Sequence, residues 1–465
     1  MLRISRGYRR VLYTLLFLLS ILLSSCAAPS RYESRLNGFI GQDKYAQADL
    51  VLGDNPNLYG KNNTLLYFLD KGLVCHLAKD YKKSIAAFEK AKLKFDELYT
   101  KSLSGILSTW IINDRVAVYC GEDFERVMIN VFQSLNYMML GNLEDALVEA
   151  RNVDSKLGLI NSRYRRNEKN VYKEDAFVRL LMGIFYEANK TTEDYNNAFI
   201  SYAKAVEIYE NDYAENYRLN PPEILKENIL AAAKFIGPVE FDKYRAKYGS
   251  VKFFSLEEKA GKAEVFLIQY NGFSPVKEEC VFPIPLPDGY IVQLAFPRYK
   301  LVPYAARAAM FTAKNKRNES FSAKTQLGED ISAIAVKNLD NRKVRVIAKA
   351  IASSAGKYLL ERQQERSINK KYGQDAGTAF KILSSLFNVV SSRADLRSWQ
   401  TLPSEIRVAR LLLEPGEYNI TVTDLDVQNQ CLAEKSLGEI NLSIGEKKFF
   451  VVRSGSNNKQ GSREN

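Results

Sequence analysis

The chain has 465 residues, 46% hydrophobic and 26% charged, with 66 Lys and Arg against 54 Asp and Glu for a formal charge of +12. That balance belongs to a folded globular chain rather than a disordered one, and at about 150 residues per domain it calls for two or three domains. One histidine and 5 dispersed cysteines exclude a disulfide scaffold and leave zinc modules and most imidazole-based hydrolase triads without their parts.

Arg3, Arg6, Arg9 and Arg10 precede the apolar stretch Val11–Leu23, which is too short to cross a hydrocarbon core of about 30 Å comfortably. It runs into Leu23-Ser24-Ser25-Cys26, whereas ordinary secretory sites favour Ala-x-Ala. The expectation is a lipoprotein signal over residues 1–25 and a diacylglyceryl group on Cys26, with residues 26–42 as lipidated start and linker. Ala27 stands where an inner-membrane retention signal would place Asp, so the expected address is the outer membrane, facing the periplasm. Removing four arginines from +12 leaves +8, with acids and bases interspersed. We expect no nucleic acid and no cofactor, but a mild preference for anionic surfaces such as phospholipid headgroups or cell-wall polymer.

Residues 43–249 read as helical, with Ala, Leu, Glu, Lys and Tyr recurring at spacings of three and four. Phe68, Gly72, Ser84, Phe88 and Ala91 follow the large-small pattern of a tetratricopeptide unit. Tyr137, Ala146 and Ala150, with Gly141-Asn142 as turn, make a weaker second copy. Gly183, Tyr186, Ala198, Tyr202 and Ala205 make a third, with a long turn over Asn189–Asp194. Small residues let paired helices approach while aromatics fill the groove between units, so such units stack. Tyr45–Leu52 is a candidate N-terminal cap, and Pro221-Pro222 followed by Glu223–Ile236 a closing helix. Between the first two units, Thr100–Gly121 is an insertion or an offset helix, ending in acids that suit the start of the next helix.

Residues 250–453 change period. Glu264–Tyr270 and Tyr290–Phe296 read as strands, with prolines at 283, 285, 287, 297 and 303 marking edges and loops. Glu405–Leu413 and Glu417–Asp424 read as a hairpin about Pro415-Gly416, and Asn441–Ile444 and Lys448–Arg453 add more strand. Antiparallel sheet with one solvated face is the natural reading. A helical insert at about 329–393 falls into Asp330–Leu339, Arg342–Arg362 and Gln374–Val390, and 454–465 should be a disordered tail. The fold class is therefore multidomain α + β: a TPR-like helical repeat stack followed by an antiparallel β-sandwich-like domain with a helical insert.

Chemistry is sparse. Phosphate-binding glycine loops are missing. His76 lies inside the first helical unit and reads as a packed histidine. Glu122, Asp123, Glu125 and Glu149 are the acids to inspect for a carboxylate-dependent hydrolase, although ion pairs of Glu149 with Arg126 or Arg151 between stacked helices are the simpler reading. Asp395, Arg397 and Trp399 sit where helix gives way to strand and would brace that junction or present a recognition patch. Cys75 reads as a small buried hydrophobe, while Cys280 and Cys431 both fall in the β-rich half, where a bridge stays open.

Two groups of residues resemble a family of bacterial outer-membrane lipoproteins with a tetratricopeptide-like N-terminal half and a β-rich C-terminal half. The first runs from Tyr119 through Gly121-Glu122-Asp123-Phe124-Glu125-Arg126-Val127 and Leu135-Asn136-Tyr137 to Glu144–Arg151. The second is Asp395-Leu396-Arg397-Ser398-Trp399, Leu402-Pro403 and Leu413–Tyr418. The resemblance implies no reaction and brings no catalytic residues; its members look like neighbours of lipoproteins that regulate wall synthesis. From it and the repeats we expect a non-catalytic, lipid-anchored envelope protein whose repeat groove holds a protein partner. Tyr119, Glu122, Asp123, Arg126, Glu149, Arg151, Asp395, Arg397 and Trp399 are the candidate partner-binding residues.

Overall fold

The computed structural model describes residues 35–103, 118–162, 171–288, 290–374, 378, 380–381 and 394–454. Cys26 and the signal segment lie outside them, as do most of Thr100–Gly121, most of Gln374–Val390 and all but the first residue of 454–465.

After a helical turn at residues 35–40, α1 (Tyr45–Leu52) leads to three helix hairpins. They are α2 (Thr64–Leu77) with α3 (Tyr81–Leu103), α4 (Asp123–Met139) with α5 (Leu143–Ser162), and α6 (Ala176–Asn189) with α7 (Thr192–Ile208). Glycines set the close approach within two of them: a Cβ on Gly72 would lie 2.5 Å from the Phe88 ring, and one on Gly183 would collide with Tyr202. Ser84 donates to the Gly72 carbonyl at 2.7 Å across the first pair. The third turn is shorter than expected. Lys190 adopts φ +61°, Thr191 caps the backbone N–H of Asp194 at 3.0 Å, and residues 192–194 already belong to α7.

Past α7 the chain widens into a π turn at Tyr209–Tyr213 and one further turn, Ala214–Tyr217, before α8 (Glu223–Ile236), α9 (Pro238–Lys247) and α10 (Leu256–Ala260). α8 packs on α7.

The strands are β1 (Ala263–Asn271), β2 (Val276–Pro285), β3 (Ile291–Lys300), β4 (Ala308–Asn315), β5 (Ser320–Lys324) and β6 (Gln326–Asp330). After helix α11 (Ile331–Tyr372) come β7 (Glu405–Leu413), β8 (Gly416–Leu425), β9 (Cys431–Leu442) and β10 (Lys447–Arg453). They form a sheet β10-β1-β7-β6, a hairpin β2-β3 and a sheet β5-β4-β8-β9. The first sheet is mixed rather than antiparallel, because β10 runs parallel to β1. Nor does it have a solvated face: all nine residues of β1 are buried. Its Val265 and Leu267 meet Phe311 of β4 and Ile420 and Val422 of β8 between the sheets, while Phe266, Ile268 and Tyr270 join the core of the helices.

Two further expectations change. Strands β7 and β8 occur where the sequence places them, but as partners in different sheets rather than a hairpin. A tight two-residue hairpin turn wants positive φ, which the Pro415 ring forbids. The chain instead turns a corner at Gly416 (φ +148°), so that Ala409, Leu411 and Leu413 face Tyr418, Ile420 and Val422 across the inter-sheet core. The helical insert is also unbroken over 42 residues, running through Asp340-Asn341 without a stop.

α11 and the β2-β3 hairpin form one arm. Ser354 donates to the Gln293 carbonyl at 2.8 Å, and Tyr290 donates to Glu365 at 2.9 Å.

Candidate functional site

The first helix of each hairpin carries the polar residues that face the strands. On α2, Asp70 accepts hydrogen bonds from Thr401 (2.6 Å) and Tyr59 (2.7 Å), and burial pushes its carboxyl up to about 6 against these two donors. One turn and a half later, His76 places Nδ1 2.6 Å from Asn136 Oδ1 on α4 and Nε2 2.8 Å from the Tyr270 hydroxyl on β1. Asn136 donates its amide to Ser84, whose own proton goes to the Gly72 carbonyl, so Asn136 Oδ1 is the acceptor that faces the imidazole. His76 is therefore the Nδ1–H tautomer and accepts from Tyr270. Burial holds it neutral, with its pKa down to about 4.

The start of α4 is the densest part of this seam. Gly121 (φ +74°) turns the chain where a side chain would strike Phe95, and α4 then opens with Glu122 as its cap. Glu125 is fully buried. Its Oε2 accepts from the Tyr119 hydroxyl (2.6 Å) and the Glu122 backbone N–H (2.9 Å), and its Oε1 from the Trp399 backbone N–H (2.6 Å). Burial raises this carboxyl to about 7, opposed by the Tyr119 hydroxyl, the Trp399 N–H and Lys277. Glu122 is held by Lys277 of β2 and Arg342 of α11. Lys277 also donates to the Arg397 carbonyl at 3.0 Å. Arg397 grips Asp395 through two bonds (2.8 and 2.7 Å), donates to Asn63 at 2.7 Å and lies 5.4 Å from the Tyr119 ring centroid.

Trp399 is 0% exposed and meets Phe88 and Phe132 edge-on at 5.8 and 5.9 Å. Its indole belongs to the core shared by helices and strands, so it braces the junction from inside.

Of the nine candidate residues, Tyr119, Glu122, Asp395, Arg397 and Trp399 come together here. Arg126 and Glu149 lie elsewhere, buried between helices. They do not pair with each other: Arg126 binds Asp96 of α3, and Glu149 binds Lys92 of α3 (2.7 Å) and Asn130 of α4 (2.6 Å). Arg151 sits over Tyr186 of α6 on the outside, and Asp123 opens α4 beside Glu122. With Tyr119, Trp399, Arg126 and Glu149 enclosed, these side chains offer no surface to a partner in this conformation. Lys277 and Arg342 are the members that sequence reasoning left out; their partner Glu122 lies 155 and 220 residues away, with no local signal, while His76, read as a packed histidine, meets Tyr270 194 residues away.

The third hairpin repeats the theme. Glu187 of α6 binds Lys447 of β10 (3.1 Å) and Lys259 of α10 (3.4 Å), and Glu264 of β1 binds Lys447 and Arg410 of β7. Three buried cations thus meet carboxylates drawn from helices and sheet. A cavity of about 430 Å³ opens beside Arg410, between Ile224 and Glu227 of α8 and Thr325-Gln326. At the π turn, Tyr209 donates to the Gly328 carbonyl at 2.6 Å and Tyr213 to Glu329 at 3.0 Å.

Chemically, each acid at the centre of this seam already accepts from groups of the chain itself. Among the described residues no cluster of three or more His, Cys, Asp and Glu is placed to hold a metal, and Cys75, Cys280 and Cys431 are free thiols. No protein-family profile, curated protein or solved structure matches the chain.

Proposed function

We propose that this is a lipid-anchored cell-envelope protein acting as a non-catalytic scaffold, built from TPR-like helix pairs wrapped on a β-sandwich-like body and tethered through Cys26 at the periplasmic face of the outer membrane. The observation that supports it is the use made of the inner helical face. α2, α4 and α6 each present polar side chains inward, to Tyr270 and Thr401, to Trp399 and Lys277, and to Lys447. The groove that such a stack offers to a partner is here filled by the protein's own strands. Partner contact then falls to the outer helices, where Leu93 (69% exposed), Val148 and Ile200 face solvent, and to the arm.

A carboxylate-dependent wall hydrolase is the reading from a different class. It is disfavoured because Glu122 is held between two cations and Glu125 is enclosed under Trp399. A regulator of wall synthesis differs from the scaffold only in the partner bound.

Photo-crosslinking in cells from positions 93, 148 and 200, followed by mass spectrometry, tests the scaffold. Recovery of one protein from neighbouring positions supports it, and loss of all adducts contradicts it. Purified peptidoglycan turned over by the protein and spared by Glu122→Gln would replace it with the hydrolase. The anchor is separate: Cys26→Ala should abolish lipid labelling, and persistent labelling would overturn that address.

A further inference from the structure

α11 is the most basic element of the described chain. Its 42 residues hold ten Lys and Arg against three Asp and Glu, a formal +7. One side of it packs on β3, with Ser354 buried there against Gln293. Another side carries Val344, Ala348, Ile351, Ala355 and Leu359, all exposed, which at about 100° per residue share an arc of about 80°. Val344 is 82%, Ile351 53% and Leu359 64% exposed, an apolar stripe with no described covering. Continued toward the C-terminus, the same stripe becomes Arg366 and Lys370, both exposed.

We propose that this face of α11 lies on an anionic phospholipid surface, with Val344, Ile351 and Leu359 entering the headgroup–acyl boundary and Arg366 and Lys370 meeting lipid phosphates. Apolar side chains along one face of a helix otherwise rich in Lys and Arg are the pattern of an interfacial helix. Each half of the pattern selects the occupant. A +7 helix repels a second copy of itself, and an anionic wall polymer without acyl chains has nothing to receive the three large aliphatic residues. The contact is independent of Cys26, because it is made by the arm and not by the N-terminus. Near an anionic surface each basic residue weighs roughly five-fold in partition, so two of them weigh on the order of 25-fold.

The test uses the full chain in vesicles of phosphatidylglycerol and phosphatidylcholine, with a genetically encoded coumarin side chain at position 351 and, as control, at position 93. Brominated lipid should quench coumarin at 351 and leave 93 bright. The variant Arg366→Gln/Lys370→Gln, or vesicles of phosphatidylcholine alone, should bring 351 down to the level of 93. Equal quenching at both positions, quenching at 351 that ignores lipid charge and the double substitution, or concentration-dependent chain–chain crosslinking from 351 without quenching would each overturn the proposal. Lipid labelling of Cys26, scored on the same samples, separates failure of the anchor from failure of this contact.

Discussion

His76 Nε2 lies 2.8 Å from the Tyr270 hydroxyl, joining α2 to β1 across 194 residues of sequence. The bond is closed in by Tyr81 and Phe132, whose rings stand edge-on to the imidazole. The one histidine of the chain is thus spent on holding two halves together.

That placement has a sign. The folded pKa of His76 is lowered from 6.5 to about 4 by burial, so between those values the unfolded chain binds a proton that the folded one does not. Its contribution to stability is full above pH 6.5 and is lost as the pH falls through 4, on the order of 3 kcal/mol. Urea unfolding at pH 4.5 and 7 should show a smaller pH difference for His76→Gln than for the native chain. An equal difference would mean the imidazole is not buried neutral.

Glu125 works in the opposite direction. Burial raises its carboxyl from 4.5 to about 7, so its contribution is full below pH 4.5 and is lost as the pH rises through 7. Glu125→Gln should flatten that fall. It should also cost about 1–3 kcal/mol at every pH, because an amide N–H₂ must then face Tyr119, Glu122 N–H or Trp399 N–H, all of them donors. Melting curves of the variant across pH 5 to 8 check both; a variant as pH-sensitive as the native chain contradicts the assignment.

Lys277→Met should destabilise by about 3 kcal/mol, since it leaves Glu122 with Arg342 alone and frees the Arg397 carbonyl in a buried site. Denaturant midpoints at fixed pH decide this, and a change under about 0.5 kcal/mol would show the pair to be a solvated surface contact.

Gly183→Ala brings a methyl group into the Tyr202 ring, for a loss of about 1–3 kcal/mol. Replacing exposed Gly158 of α5, with open space around it, by Ala should instead be neutral or stabilising. Thermal melts of the two variants side by side separate close packing from helix propensity.

Much of the helical half was legible because its signals are local. Tyr45–Leu52 and Glu223–Ile236 form helices with the bounds read from sequence, and Gly72-Phe88 and Gly183-Tyr202 meet as the small-large spacing implies. The strand half was legible only in part. Val276–Pro285 bears two prolines and reads as loop, yet it is paired along its length with β3, on the edge of a two-stranded hairpin where missing donors cost little. Ala308–Asn315 has too little alternation to stand out, and Pro415-Gly416 marks a turn without saying whether it joins one sheet or two. The site divides likewise. Tyr119, Glu122 and Glu125 lie within seven residues of one another and signal a helix start. Lys277 and Arg342 reach Glu122 only through the fold, which is also why the helical half looked like a separate domain with an open groove.

The central claim is that helices and strands share one core through this seam. Native-state hydrogen exchange read by mass spectrometry tests it most directly, comparing amides of Leu69–Val74 in α2 with those of Val265–Ile268 in β1 under increasing denaturant. The account predicts that both segments exchange through the same global opening, with equal free energies that fall together in Lys277→Met. Protection of the α2 amides that outlasts that of β1, or that is untouched by Lys277→Met, would contradict it.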